Sequence, residues 1–204
     1  MNLNFSDFST NQRYHLMTQT IIPRPIAWAL TDSNNDSFNL APFSYFTAVS
    51  SAPPILMLSV GKKPNGDDKD TLVNIINNQK VVIHIASEQH ANLVTKTAKT
   101  LAHGESELID SNIETTDFDN FSLPRITQCD IAYGCELYEI KALGDVPQSL
   151  IFVEVKQVYI NDNVLEVDEK QRIKVHANRV QPLARLGGAE YATIKKPFEL
   201  IRPK

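Results

Sequence analysis

Between Ser37 and Gly61 the chain carries no charged residue. The stretch reads SFNLAPFSYFTAVSSAPPILMLSVG, in a protein in which 22% of residues are charged. No other feature narrows the fold as much. A membrane-spanning helix needs about 20 predominantly apolar residues. Here Pro42, Pro53 and Pro54 interrupt the run, and Asn39, Ser44, Thr47, Ser50, Ser51 and Ser59 dilute it. A proline inside a helix removes a backbone donor and costs about 3 kcal/mol or more. Two readings remain: a buried structural segment, or the wall of a site for a flat, neutral ring.

The chain has 204 residues, of which 42% are hydrophobic. That length suffices for a sizeable core and fits one β-rich domain or two small ones. A net charge of -4 argues against nucleic acid as the main partner, because phosphate binding wants a basic surface. The start, MNLNFSDFSTNQRYH, has no apolar h-region, so a cytoplasmic protein with no membrane partner is expected. The N-x-S matches at Asn4, Asn35 and Asn120 are then chance. Cys129 and Cys135 fit neither a zinc pattern nor a C-x-x-C redox motif and read as buried free thiols. They share a strand face only if one strand runs through both. The five histidines show no metal-ligand spacing, and His84 in VVIHIA reads as a strand residue.

Strand signals dominate. Ile26–Thr31 and Phe38–Ala41 flank the turn-like SNND. Ile55–Val60, Val81–Ala86, Ile131–Ile140, Ser149–Ile160 and Val164–Val167 continue the series. In Leu150–Ile160 the residues Ile151, Val153 and Val155 alternate with Phe152, Glu154 and Lys156. Two helices are expected. In KDTLVNIINNQ, Leu72, Val73, Ile75 and Ile76 share a face, with Asp68 or Asp70 as N-cap. A second helix starts at Ser87 and runs through SEQHANLVTKTAKTLA, with Gly104 as its stop. The polar, acidic stretch Glu105–Ser122 reads as an irregular excursion. Strands, short helices and more strands suggest a closed or partly closed antiparallel barrel rather than a Rossmann sheet.

No G-x-G-x-x-G, P-loop or G-x-S-x-G motif occurs, and no acid/base pair or covalent nucleophile stands out. Just after the neutral stretch comes KKPNGDDKDTLVNI, which sets Lys69 and Thr71 at a helix start. A helix N-terminus presents unpaired N–H groups and partial positive charge, which suit a phosphate. A plain capped helix on a solvated face explains the same residues, and Asp68 and Asp70 oppose an anion unless their carboxylates turn away. A neutral wall next to a phosphate anchor would serve a planar ring with a phosphate tail, such as FMN.

The segments PRPIAWALT, FNLAPFSYFTAVSSAPPILMLSVG and KDTLVNI, in this order, resemble the flavin reductase-like family with the FMN-binding split barrel, the group that includes flavoredoxin. The late RLGGAEYATI resembles a further signature of that family, and the likeness runs from about Tyr14 to Tyr191. The resemblance implies a mainly β protein, a Greek-key split β-barrel with a few flanking α-helices, forming a single domain over residues 1–204. It implies a homodimer with an FMN in each of two interface grooves. Carried over residue by residue, the Asn39–Ser44 loop (Asn39, Leu40, Ala41, Pro42, Ser44) and the segment with Thr47, Ser50 and Ser51 would line the ring. Ser59, Lys69 and Thr71 would hold the ribityl chain or phosphate, and Arg24 and Arg185 would lie close to the cofactor. Each has a plainer alternative: Arg24 a turn residue, Trp28 a core residue, Arg185 a residue packing the turn before Gly187 and Gly188.

The resemblance implies an NAD(P)H-dependent flavin reductase or a flavoredoxin-like electron-transfer protein. The flavin supplies the chemistry, so a missing acid/base dyad is expected. NAD(P)H would stack transiently on the flavin, consistent with the missing dinucleotide fingerprint. A non-enzymatic FMN-binding protein and a split barrel without flavin are the alternatives.

Overall fold

The computed structural model describes residues 1–33, 37–101, 105–201 and 203. In chain order the elements are α1 (Thr10–Thr20), β1 (Arg24–Pro25), β2 (Ala27–Asp32), β3 (Phe38–Phe43), β4 (Phe46–Ser51), β5 (Pro54–Val60), α2 (Asp70–Asn78) and β6 (Lys80–Ile85). Then come α3 (Ala91–Lys96), α4 (Glu107–Ser111), β7 (Thr115–Phe118), β8 (Phe121–Ile126), β9 (Ile131–Leu143) and β10 (Gln148–Ile160). The chain ends with β11 (Leu165–Val167), β12 (Ile173–Val175), α5 (Ala177–Val180), β13 (Ala184–Arg185) and β14 (Tyr191–Ala192).

Seven strands form the main antiparallel sheet, in the order β3-β2-β6-β9-β10-β5-β4. Its two outermost strands, β3 and β4, are joined only by Ser44 and Tyr45. A sheet whose edges are tied by so short a link must curl until they nearly meet, which makes a barrel. β3 and β4 do not pair with each other. The barrel is therefore split at that seam, where Ser59 N–H donates to the Tyr45 carbonyl at 2.8 Å. The expected mainly β split barrel with a few helices is the fold.

β2 shows why the sequence gives this shape. All of Ala27–Thr31 is buried, so both faces of the strand meet protein. The small Ala27 and Ala29 face the barrel interior with Leu58, Val60, Ile83, Cys135, Ile151 and Val153. Trp28 and Leu30 face a second core outside the barrel with Val82, Val94, Leu108 and Ile126. Leu72 and Ile75 of α2 reach the interior core, so this helix plugs the barrel. Burying side chains of this size is worth about 1.5–3 kcal/mol each.

Several local expectations change. Lys69, not Asp68 or Asp70, holds the N-cap position of α2 and makes no side-chain cap bond. Both aspartates are drawn off by lysines: Asp68 pairs with Lys62 at 2.5 Å and Asp70 with Lys63 at 2.8 Å. The second helix is shorter than its apolar spacing suggests. It is a 3-10 turn, Glu88–His90, followed by α3, which ends at Lys96. There Thr97 turns inward, and its hydroxyl accepts from Trp28 Nε1 at 2.9 Å. The expected stop, Gly104, lies outside the described residues. The stretch Glu105–Ser122 is not irregular: it holds α4, β7 and the start of β8. Neither α1 nor the strand character of Phe46–Ser51 was expected. The cysteines do not share a strand face: Cys129 precedes β9 and lies in the outer core, whereas Cys135 lies in the barrel interior. Burial pushes the Cys135 thiol up to about 12 and the Cys129 thiol up as well, so both are poor nucleophiles. Among the described residues no helix is long and apolar enough to cross a membrane, and no cluster could hold a metal ion.

Candidate functional site

The charge-free segment, continuing from β3 into β4, borders two cavities. The smaller, of about 180 Å³, is lined by Asn39 and Ala41–Phe43 of β3, by Lys63, Lys69, Asp70 and Thr71 around the start of α2, by Thr97–Leu101, and by Glu107 of α4. The larger, of about 860 Å³, lies beyond Ser44, Tyr45 and Phe46, and takes in Met57, Ser59 and Gln148 from the barrel and Met17 and Ile21 from α1.

A buried polar network fixes the floor of the small cavity. Asn39 Nδ2 donates to Thr71 Oγ1 at 3.0 Å, and Asn74 Nδ2 donates to Thr31 Oγ1 at 3.1 Å. Asn39 is 5% exposed and Thr71 only 1% exposed, so neither can relax into water. Accepting from Asn39 leaves Thr71 with its own O–H to donate. Lys63 is half committed by its ion pair with Asp70. Lys69 has no ion-pair partner among the described residues. Together with the N–H groups at the start of α2, these residues make a donor set that fits a phosphate.

Glu107 is the unexpected wall residue. It is 6% exposed, and its Oε2 accepts from Leu40 N–H at 2.9 Å. Burial holds its carboxyl above the usual carboxylate range, against the pull of that hydrogen bond. In the large cavity, burial together with nearby Tyr14 raises the Tyr45 hydroxyl, which therefore stays protonated as a donor.

The expected site residues divide into groups. Asn39, Ala41, Pro42, Lys69 and Thr71 line the small cavity. Arg24, Ser44 and Ser59 line the large one. The Leu40 side chain is fully buried in the outer core, and only its backbone N–H faces Glu107. Thr47, Ser50 and Ser51 line neither cavity but lie exposed on β4. The Asn39–Ser44 segment is largely strand rather than loop. Arg24 is 5% exposed, and its guanidinium is spent on the fold. It donates to the carbonyls of Thr18, Ile21 at 2.8 Å and Leu186 at 2.7 Å, and to Ser44 Oγ at 3.4 Å. Arg185 turns back on its own hairpin. It donates to the carbonyls of Glu190 and Gly188 and lies over the Tyr191 ring at 4.5 Å.

Lys63, Lys99, Tyr45 and Glu107 also line these cavities. Lys63 and Tyr45 were within reach of a sequence reading, because they sit in or beside the motif segments. Lys99 and Glu107 carry no such signal: one follows a helix that ends early, the other lies in a stretch that reads as irregular.

The comparisons with known proteins agree with this geometry. The flavin reductase like domain family matches residues 17–179. The Bacillus subtilis protein YwrF is 31% identical over 199 residues, covering 96% of this chain and 95% of its own. Nitrilotriacetate monooxygenase component B from Bacillus cereus superposes with a TM-score of 0.88 at 31% identity, covering 98% of each chain. The 2-nitrobenzoate 2-nitroreductase NbaA of Pseudomonas fluorescens superposes with a TM-score of 0.87 at 28% identity, covering 100% of this chain and 96% of its own. The charge-free wall and the lysine-lined cavity beside it thus belong to a protein of the flavin reductase-like family, a flavin-related oxidoreductase.

Proposed function

We propose that the protein binds FMN and passes electrons from NAD(P)H through it, as a flavin reductase or a flavoredoxin-like carrier, and that it works as a homodimer. One observation carries the reading. A single charge-free segment borders a phosphate-sized cavity with Lys69, Lys63 and Thr71 at one end and a large, mostly apolar cavity at the other. A flat ring joined to a phosphate by a flexible chain needs that pair of environments side by side. The similarity to a monooxygenase component and to a nitroreductase supports redox chemistry.

Bound FMN supplies the hydride and electron chemistry. The chain's residues then bind and orient. Lys69 and Thr71 would take the phosphate, and the α2 N-terminus adds N–H donors. Asn39 holds Thr71 in its donating pose. Strand β3 offers backbone groups and no fixed charge of its own. Ser44, Ser59 and the protonated Tyr45 supply neutral polar contacts at the large cavity.

The test is the absorption spectrum of the purified protein, followed by NADH or NADPH addition without oxygen. A flavin spectrum that bleaches, with turnover when free flavin is added, is expected. FMN that binds but is reduced by neither nucleotide would leave a carrier. A preparation that stays colourless after FMN addition would end the flavin reading.

A further inference from the structure

The small cavity contains a contradiction for an anion site. Among the described residues its charged side chains are Lys63, Lys69 and Lys99 against Asp70 and Glu107. Asp70 is neutralised by Lys63 at 2.8 Å. Glu107 forms no direct ion pair among the described residues, and Lys63 acts on it only from farther off. It is 6% exposed, and its carboxyl accepts from two backbone N–H groups, those of Leu40 and of Glu107 itself, which burial outweighs. With Glu107 ionised the cavity's five charges sum to one positive, three lysines less two carboxylates; with Glu107 protonated they sum to two positive. A phosphate entering the cavity would face an ionised carboxylate that is itself shielded from water by burial. Like charges at short range disfavour joint ionisation, and burial already favours the neutral acid.

We propose that Glu107 makes anion binding here proton-linked: the cavity takes a phosphate group together with one proton, which comes to rest on the Glu107 carboxyl. The proposal rests on the phosphate reading of this cavity. Among the described residues the charged groups that share the cavity with Glu107 are Lys63, Lys69 and Asp70 around the start of α2 and Lys99 after α3, while β3 contributes only uncharged residues. Asp110, on Glu107's own helix, is directed to Lys96, with its Oδ2 at 3.6 Å. Protonation changes what Glu107 does. As an ion it accepts from Leu40 N–H and repels the phosphate. As a neutral acid it can keep that acceptor role on Oε2 and donate its new O–H. FMN would then bind more weakly as pH rises, by up to about tenfold per pH unit for one linked proton.

Calorimetric titration of FMN into the flavin-free protein, in buffers of different ionisation enthalpy between about pH 6 and pH 8, reads the protons directly. In Glu107→Gln no carboxyl at this position can take a proton, so the difference between the two proteins counts the protons drawn in by the Glu107 charge, and the infrared band of a protonated carboxylic acid places them on Glu107 rather than on the phosphate. Wild type should take up more protons than Glu107→Gln, and the variant should bind FMN up to about tenfold more tightly than wild type at the alkaline end. Riboflavin, which lacks the phosphate, should show no such difference. Equal proton uptake in the two proteins overturns the proposal. Should the variant fold poorly, difference infrared spectra of wild type decide. FMN, but not riboflavin, should raise the carbonyl band of a protonated buried carboxylic acid, and its absence overturns the proposal. Equal affinity for FMN and riboflavin would instead bring down the phosphate reading itself.

Discussion

At the scale of single residues, the polar groups best fixed by the fold make the sharpest expectations. His84 is fully buried in β6. Its Nε2 accepts from Ile126 N–H at 2.9 Å, so its proton must sit on Nδ1, which donates to the Trp28 carbonyl at 3.0 Å. Burial lowers its pKa to about 4, from an ordinary value of 6.5. In that window the unfolded chain binds the proton and the folded chain does not. Stability therefore falls as pH drops from about 6.5 to about 4, by about 3 kcal/mol from this group. Burial lowers His90 too and adds in the same direction. Glu107, raised by burial, acts oppositely: its contribution is lost as pH rises. Urea unfolding should find His84→Leu less stable than wild type at pH 7 but with a flatter profile between pH 6.5 and pH 4. Equal slopes would remove His84 as the acid-sensitive group. Lys69 makes the second expectation. It lines the small cavity without an ion-pair partner among the described residues. Lys69→Ala should cost FMN about 1.5–3 kcal/mol of binding, roughly tenfold to a hundredfold in affinity, and leave riboflavin unchanged. A loss shared by both flavins would move Lys69 away from the phosphate.

At the scale of elements, two segments far apart in the sequence lock to each other. Arg24 ties the last turn of α1 to the Leu186 carbonyl. Gly187, the next residue, packs against that helix so closely that an added Cβ would lie 2.4 Å from Gln19 Cγ. Both motifs that look like cofactor signatures in the sequence, PRPIAW and RLGG, thus meet in one structural joint at the rim of the large cavity. Arg24→Met strands carbonyls that the guanidinium satisfied and should cost about 2–4 kcal/mol of stability. Gly187→Ala should destabilise the same joint by crowding Gln19. Being neighbours, the two changes should combine with less than additive cost, so strictly additive unfolding energies would count against a shared joint. This joint also shows where sequence legibility stops. Alternation made β10 legible, and short apolar runs bounded by turn residues made β2, β5, β6 and β9 legible. The nearness of Lys69 and Thr71 to the charge-free segment was legible from motif order; that Asn39 joins them at the small cavity, rather than lining a ring, was not. The role of Arg24 was not, because its partners are carbonyls set by tertiary structure, and a carbonyl has no sequence signature. α1 escaped because only Thr18 in it is buried, so it has no apolar stripe to read. Glu107 escaped for a related reason: a buried carboxylate and a surface one share a letter, and only the fold of α4 against β3 distinguishes them.

At the scale of the whole molecule, the split barrel leaves one surface unaccounted for. Among the described residues β4 pairs only with β5, which leaves its other edge without a strand partner. Its residues Thr47–Ser51 are exposed, with Val49 at 49%. The same strand carries the expected ring-lining residues Thr47, Ser50 and Ser51, which reach neither cavity in one copy. Uncharged, exposed edge strands invite pairing with another chain, and soluble proteins ordinarily blunt them with charge. β4 has none. A second copy packed two-fold symmetrically across this face would cover the edge and bring its surface against the mouth of the flavin site, and such closed pairs are the commonest assembly. Light scattering should therefore return twice the 22.9 kDa chain mass. Val49→Asp should separate the copies without unfolding either, because the side chain is half exposed in the single chain and packs in neither core. If the second copy completes the site, the separated chain should also bind FMN at least about tenfold more weakly, a loss of about 1.4 kcal/mol. Weakening that follows the mass, and returns as high protein concentration restores the dimer, would tie the cofactor to the assembly. A monomer mass with FMN fully bound would refute the dimeric site and leave the β4 face to some other partner.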